Sequence, residues 1–100
     1  MKSTEQDTVE SLREQIDVIN EQIVKLYIAR IGYAERMAAV KKSLGLPVYD
    51  AQREKETLEK MCACVPEEDR ACVTRLFELL MRENRMRQEQ ILHKEEGEAK

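Results

Sequence analysis

The stretch VESLREQIDVINEQIVKLYIARIGYAERMAAVKKSL, residues 9–44, decides how this chain folds. Within it Val9, Leu12, Ile16, Ile19, Ile23, Leu26, Tyr33, Met37, Val40 and Leu44 recur at alternating steps of three and four. That period sets them along one side of a helix and predicts a seam packed lengthwise against partners. One stripe position, Arg30, holds a fixed charge. A guanidinium in an apolar seam is costly to bury unless an anion meets it. The stripe therefore predicts a helix and asks which anion its arginine serves.

The helix has readable ends. Asp7 with Glu10, and Ser11 with Glu14, have the spacing of capping pairs, so the start is expected near residues 7–11. Nothing breaks the pattern before Gly45 and Pro47. About 35 residues give a helix on the order of 50 Å long. Gly32 inside it costs about 1 kcal/mol relative to Ala without ending it, and leaves room for another backbone to approach. After the link Gly45-Leu46-Pro47-Val48-Tyr49, Asp50 is a good N-cap for a second helix running to about Ala63. Pro66, followed by Glu67, Glu68 and Asp69, opens a third helix, with acidic groups suited to the dipole at its start. Its apolar face is Val73, Leu76, Phe77, Leu80, Ile91 and Leu92, and its end is expected near His93. Residues 1–8 are expected to be a disordered lead, residues 9–93 the domain, and residues 94–100 a charged, frayed tail.

Composition agrees with an all-α domain. The 100 residues are 42% hydrophobic and 37% charged, with one Phe, no Trp, three Gly and two Pro, too few turn formers for many short strands. A net charge of −3 gives nucleic-acid binding no electrostatic support. No apolar run approaches the ~20 residues needed to span a bilayer, and the polar start MKSTEQDTVE has no signal-peptide core. A cytoplasmic protein is the default. Cys62, Cys64 and Cys72 are an odd set with no fourth ligand nearby, and His93 is far along the chain, so reduced thiols are expected rather than a metal site. No cofactor is expected either.

The length of the first helix creates a problem. A compact domain of this size has a radius of gyration near ~13 Å. Two shorter helices folding back cannot cover a helix of ~50 Å, so its stripe would stay partly wet. A second copy of the chain is the simplest remedy, giving an intertwined homodimer. The plainer alternative is a structural coiled coil in which a polar residue serves only for register.

Several polar residues fit a plain bundle poorly. Lys41 follows Arg30 by eleven residues, so it lies on nearly the same face about 16 Å further on. Asn84 and Gln88, spaced i and i+4, continue the stripe of Val73, Phe77 and Leu80. Asp50, Arg53 and Glu54 cluster at the start of the second helix. Each has an ordinary explanation: Arg53 and Glu54 as an exposed helix start, Lys41 as a solvated helix end, Asn84 as a register residue, Arg30 as an arginine snorkelling to the surface. Together they would need unrelated excuses on three helices. Cations with two amides and a carboxylate pair suit a small dianion bearing a hydroxyl, since Arg grips carboxylates bidentately. No nucleophile–base pair and no Gly-rich phosphate loop is present, so an enzyme of this kind would act by positioning and charge stabilisation.

The order of these residues resembles the all-helical chorismate mutases. The likeness is carried by Leu12 to Asp17, Ala29-Arg30, Ala39-Val40-Lys41, Gly45 to Asp50, Arg53-Glu54 and Asn84 to Gln88, over about residues 9–92, with GLPVYDAQRE its most specific part. It implies a domain-swapped homodimer with two identical sites, and an isomerase that rearranges chorismate to prephenate on the route to phenylalanine and tyrosine. It also implies roles. Arg30 and Arg53 would hold the substrate carboxylates, joined by Arg13 from the partner chain. Lys41 and Gln88 would donate to the ether oxygen, and Asp50 and Glu54 would address the ring hydroxyl. Asn84 stands where the family often has a serine that binds the ring carboxylate. Geometry bears on one of these roles separately: Arg13 and Arg30 are seventeen residues apart, about 25 Å along one helix and about 100° around it. No metabolite of this size touches both in one chain. Two rival readings share the inventory, an isochorismate pyruvate-lyase and a non-catalytic regulatory module that binds a metabolite.

Overall fold

The structure, a computed structural model, describes residues 7–98, with side chains as far as Lys94. Every regular element among the described residues is a helix: α1 (Val9–Leu44), α2 (Ala51–Cys62) and α3 (Glu67–Glu98). The all-α expectation and the number of helices agree with this. None of the described helices is long and apolar enough to cross a membrane.

The helix ends follow local chemistry, with two corrections. At the start of α1 a reciprocal pair forms between Thr8 and Ser11, one position along from the expected Asp7–Glu10. Thr8 N–H donates to Ser11 Oγ at 2.9 Å, and Ser11 N–H donates to Thr8 Oγ1 at 2.9 Å. A hydroxyl at each end of a three-residue step satisfies both exposed N–H groups, as a Ser–Glu pair would. The second correction concerns α3, which at 32 residues passes the expected end at His93 and continues to Glu98. Lys94 to Glu98 contain no proline, and only Gly97 weakens the helix there. Of the expected disordered lead, residues 1–6 lie outside the described residues, as do residues 99–100 of the expected tail.

The remaining ends match expectation. At the end of α1, Gly45 adopts φ +69°. Leu46 N–H then reaches the Lys41 carbonyl at 2.8 Å, and Gly45 N–H reaches that of Lys42 at 3.2 Å. This paired closure needs a left-handed residue, which glycine supplies without a Cβ clash. Asp50 caps α2, its side chain accepting from Arg53 N–H at 3.0 Å. Ala63 ends α2, its N–H bonded to the Glu59 carbonyl.

The chain divides into two compact units, Met1–Arg30 and Ile31–Lys100. In the first, the described part is the cap and the leading turns of α1. Its apolar side chains are exposed, from 40% at Leu12 to 71% at Leu26, and only Ser11, Tyr27 and Arg30 are half-buried. In the second, α2 packs against α3. Cys62 Sγ lies 3.2 Å from Thr74 Oγ1, and Arg70 Nε donates to the Cys62 carbonyl at 3.2 Å, closing the turn between them. The buried apolar residues are Ile31, Ala34, Ala38, Val48 and Met81. Of the α1 members, Ala34 and Ala38 sit one residue along from the heptad positions Tyr33 and Met37, which stay exposed. One residue is about 100° of helix, so the stripe and the buried arc are adjacent strips of one surface.

Candidate active site

Polar side chains collect where α1 ends, α2 begins and the middle of α3 passes. Lys41 follows Ile31, Ala34 and Ala38 on the buried arc of α1, and its ammonium is therefore drawn inward. Nζ donates to the Val48 carbonyl at 2.7 Å and to Gln88 Oε1 at 3.4 Å. Gln88 is 7% exposed, the one buried polar residue among those described. An ammonium has three protons, and two are engaged here, so one remains for a further acceptor. With its oxygen turned to Lys41, the Gln88 amide keeps its nitrogen as the donor end.

Asn84, one turn before Gln88, is half-buried, and its Oδ1 is shut off from solvent without a hydrogen bond. A buried amide oxygen left in that condition costs free energy, the more so in a low-dielectric setting, and is a natural place for a donor from outside the chain. Asp50 spends one oxygen on the α2 cap. Arg53, whose N–H that oxygen accepts, has an exposed side chain. Glu54 is half-buried and ion-paired with Arg85 Nη1, which lies against both carboxylate oxygens. Arg85 also stacks on Tyr49, its Cζ 5.1 Å from the ring centroid.

Two sequence-expected residues belong to the first unit. Arg13 is exposed on α1. Arg30 is half-buried, and desolvation pushes its guanidinium pKa down from the ordinary value, partly offset by Tyr27. Thus Lys41 and Gln88 come together as expected, Asp50 joins Arg53 through the cap, and Asn84 lies one turn from Gln88. Sequence reading missed Arg85, Tyr49 and the Val48 carbonyl. A signal for Arg85 existed: Met81, Asn84, Arg85 and Gln88 follow the steps of one helix face, on which Arg85 holds the edge.

Outside this cluster, a surface groove of about 480 Å³ is lined by Val48, Tyr49, Arg82, Arg85, Met86 and Glu89, among others. Tyr49 and Arg85 form the wall it shares with the cluster.

Residues 12–89 match the family described as chorismate mutase type II, and the chain belongs to that family. Among its relatives is a chorismate mutase of Methanocaldococcus jannaschii, 30% identical over 91 residues, covering 89% of this chain and 92% of that protein. Another is a bifunctional chorismate mutase/prephenate dehydratase of Aquifex aeolicus, 34% identical over 55 residues, which span 55% of this chain and only 15% of the larger protein. No solved structure matches the chain at a significant level.

Proposed function

We propose that this chain converts chorismate to prephenate, as a cytoplasmic homodimer with two shared sites. The observation that carries the reading is the Lys41–Gln88 pair: an ammonium aimed by a carbonyl at a buried amide, in a member of this family. The reaction is unimolecular. The ether carbon–oxygen bond of chorismate breaks while a carbon–carbon bond forms, with no proton transfer and no covalent intermediate. Catalysis then reduces to holding a compact conformer and stabilising charge that grows on the ether oxygen. The third proton of Lys41 and the amide nitrogen of Gln88 are the two donors for that oxygen. Because charge there is larger in the transition state than in the substrate, such donors lower the barrier rather than merely tighten binding.

The other roles follow the chemistry of each group. Arg30 and Arg53 take the carboxylates, with Arg13 of the second copy. The Asn84 amide nitrogen is the donor for the ring carboxylate. Asp50 and Glu54 face the ring hydroxyl, each carboxylate keeping acceptor capacity beyond its cap or ion pair. The exposed apolar stripe of α1 supports the second copy, since a contiguous apolar strip of that length marks an interaction surface.

Chorismate consumption by purified protein, followed by absorbance, tests the proposal. The product is then acidified and assayed as phenylpyruvate. Turnover with that product is expected. Binding without turnover would favour the regulatory module, and salicylate formed from isochorismate would favour the lyase.

A further inference from the structure

We propose that Arg85 is a positioning residue of this site: it makes the Glu54 carboxylate compatible with a dianionic substrate and, through Tyr49, fixes the backbone that aims Lys41. The proposal rests on the mutase reading and deepens it. Three contacts form one chain of influence. Arg85 Nη1 holds Glu54 across the α2–α3 interface. The same guanidinium lies over the Tyr49 ring. Tyr49 follows Val48, whose carbonyl takes the 2.7 Å hydrogen bond from Lys41 Nζ.

Each contact has a reason to matter. A bare carboxylate repels a substrate carrying two negative charges, whereas the Glu54–Arg85 pair is neutral as a unit and still offers acceptor lone pairs to a hydroxyl. Tyr49 is 57% exposed, so burial does not hold its ring in place. The stacked cation is the contact that restrains it. Link movement at Tyr49 would swing the adjoining Val48 carbonyl and with it the direction of the Lys41 ammonium. A merely structural ion pair predicts something else. The two side chains are 33% and 22% exposed, and an ion pair that solvent still reaches contributes only modestly to stability. A positioning role should therefore appear in kinetics far more than in melting temperature.

The test compares Arg85→Ala, Arg85→Lys, Tyr49→Leu and the double variant Arg85→Ala/Glu54→Gln with the unaltered protein, measuring kcat, KM and Tm. Arg85→Ala should raise KM and lower kcat, together costing about 10²-fold in kcat/KM, the scale of a small misplacement of reacting groups. Its Tm should change little. Arg85→Lys keeps the charge but not the planar stack, so KM should recover more than kcat. Tyr49→Leu should lower kcat with KM nearly unchanged. In the double variant, removing the carboxylate removes the repulsion, so KM should fall back below that of Arg85→Ala alone. The proposal is overturned if Arg85→Ala keeps both constants within about twofold of the unaltered protein, a change too small for lost positioning. Should Arg85→Ala fail to fold, a folded Arg85→Lys with unaltered kcat overturns it equally. An unaltered protein that turns over while these variants match it removes only the role of Arg85. One that never turns over chorismate removes the mutase reading and this inference together.

Discussion

In residues 7–30 the apolar side chains of α1 face outward from Val9 to Ile28, while in residues 31–94 some of the same kind of sequence is buried and some, Tyr33, Met37, Val40 and Leu44 among it, stays exposed. Ile31, Ala34 and Ala38 are buried, α2 lies on α3, and a lysine, a glutamine, a glutamate and an arginine are held by specific contacts. The difference teaches what each part of the sequence is for. The later residues build the polar cluster from their own chain. The earlier ones carry an apolar strip and Arg13, and both lack a use until something covers them. An uncovered strip of this length loses the burial energy of several large side chains, each worth about 1.5–3 kcal/mol.

The comparison breaks most sharply if the strip is not an interface. We expect Ile19→Glu with Ile23→Glu to dissociate the proposed homodimer, because burying unpaired charge in an apolar seam costs about 4 kcal/mol or more. Sedimentation should show single chains, and activity should fall with the dimer fraction. A double variant that stays dimeric and active would place the interface elsewhere. Lys41→Ala attacks the other region. Removing a preorganised donor should lower kcat on the order of 10²- to 10³-fold, with helical circular dichroism unchanged. Near-normal turnover would end the assigned role.

A third experiment asks whether the first region of one copy completes the site of the other. Arg13→Ala and Arg30→Ala should each be nearly inactive alone. Mixed and re-equilibrated in equal amounts, half the dimers are hybrids with one intact site, so about one quarter of the original activity should return. No recovery means that Arg13 does not reach across. The fourth concerns protonation. A neutral amide does not titrate, so Gln88 gives no reason for kcat to vary between about pH 6 and 8. In Gln88→Glu the side chain donates only when protonated, near an ordinary pKa of about 4.3. The variant rate should therefore rise as pH falls, roughly tenfold per pH unit above that value. A variant as active as the unaltered protein at high pH, where the carboxyl is ionised, removes the donor role at this position.

Much of this arrangement was legible in the sequence because it depends on short-range chemistry. Period and breakers gave α1, the Asp50 cap gave α2, and the run after Pro66 gave the start of α3. That Lys41 and Gln88 serve one site came from the family likeness; their apolar faces marked each as out of place without pairing them. The Glu54–Arg85 pair was not legible. The two are 31 positions apart, and periodicity says which face a residue occupies but not which residue it meets. The Thr8–Ser11 closure was missed because attention to glutamate three residues on overlooks a second hydroxyl that performs the same task. The length of α3 was missed because a charged, weakly apolar end lacks the face by which helices are recognised.

The smallest effects come from two glycines, one inside α1 and one just past its end, which should answer the same substitution with opposite signs. Gly45 sits at φ +69°, where a Cβ is strained even though the space around it is open. Gly45→Ala should cost about 1 kcal/mol and loosen the closure that uses the Lys41 carbonyl, lowering Tm by a few degrees. Gly32 is in the helix interior, and an added Cβ meets nothing within 4 Å in the single chain. Gly32→Ala should therefore stabilise the protein by about 0.5–1 kcal/mol, through the backbone freedom that glycine loses on folding. If Tm falls instead, and falls more at low protein concentration, the open space beside Gly32 is filled by the second copy. The loss would then mark where two backbones come close, on the segment of α1 whose other face is already buried in its own chain.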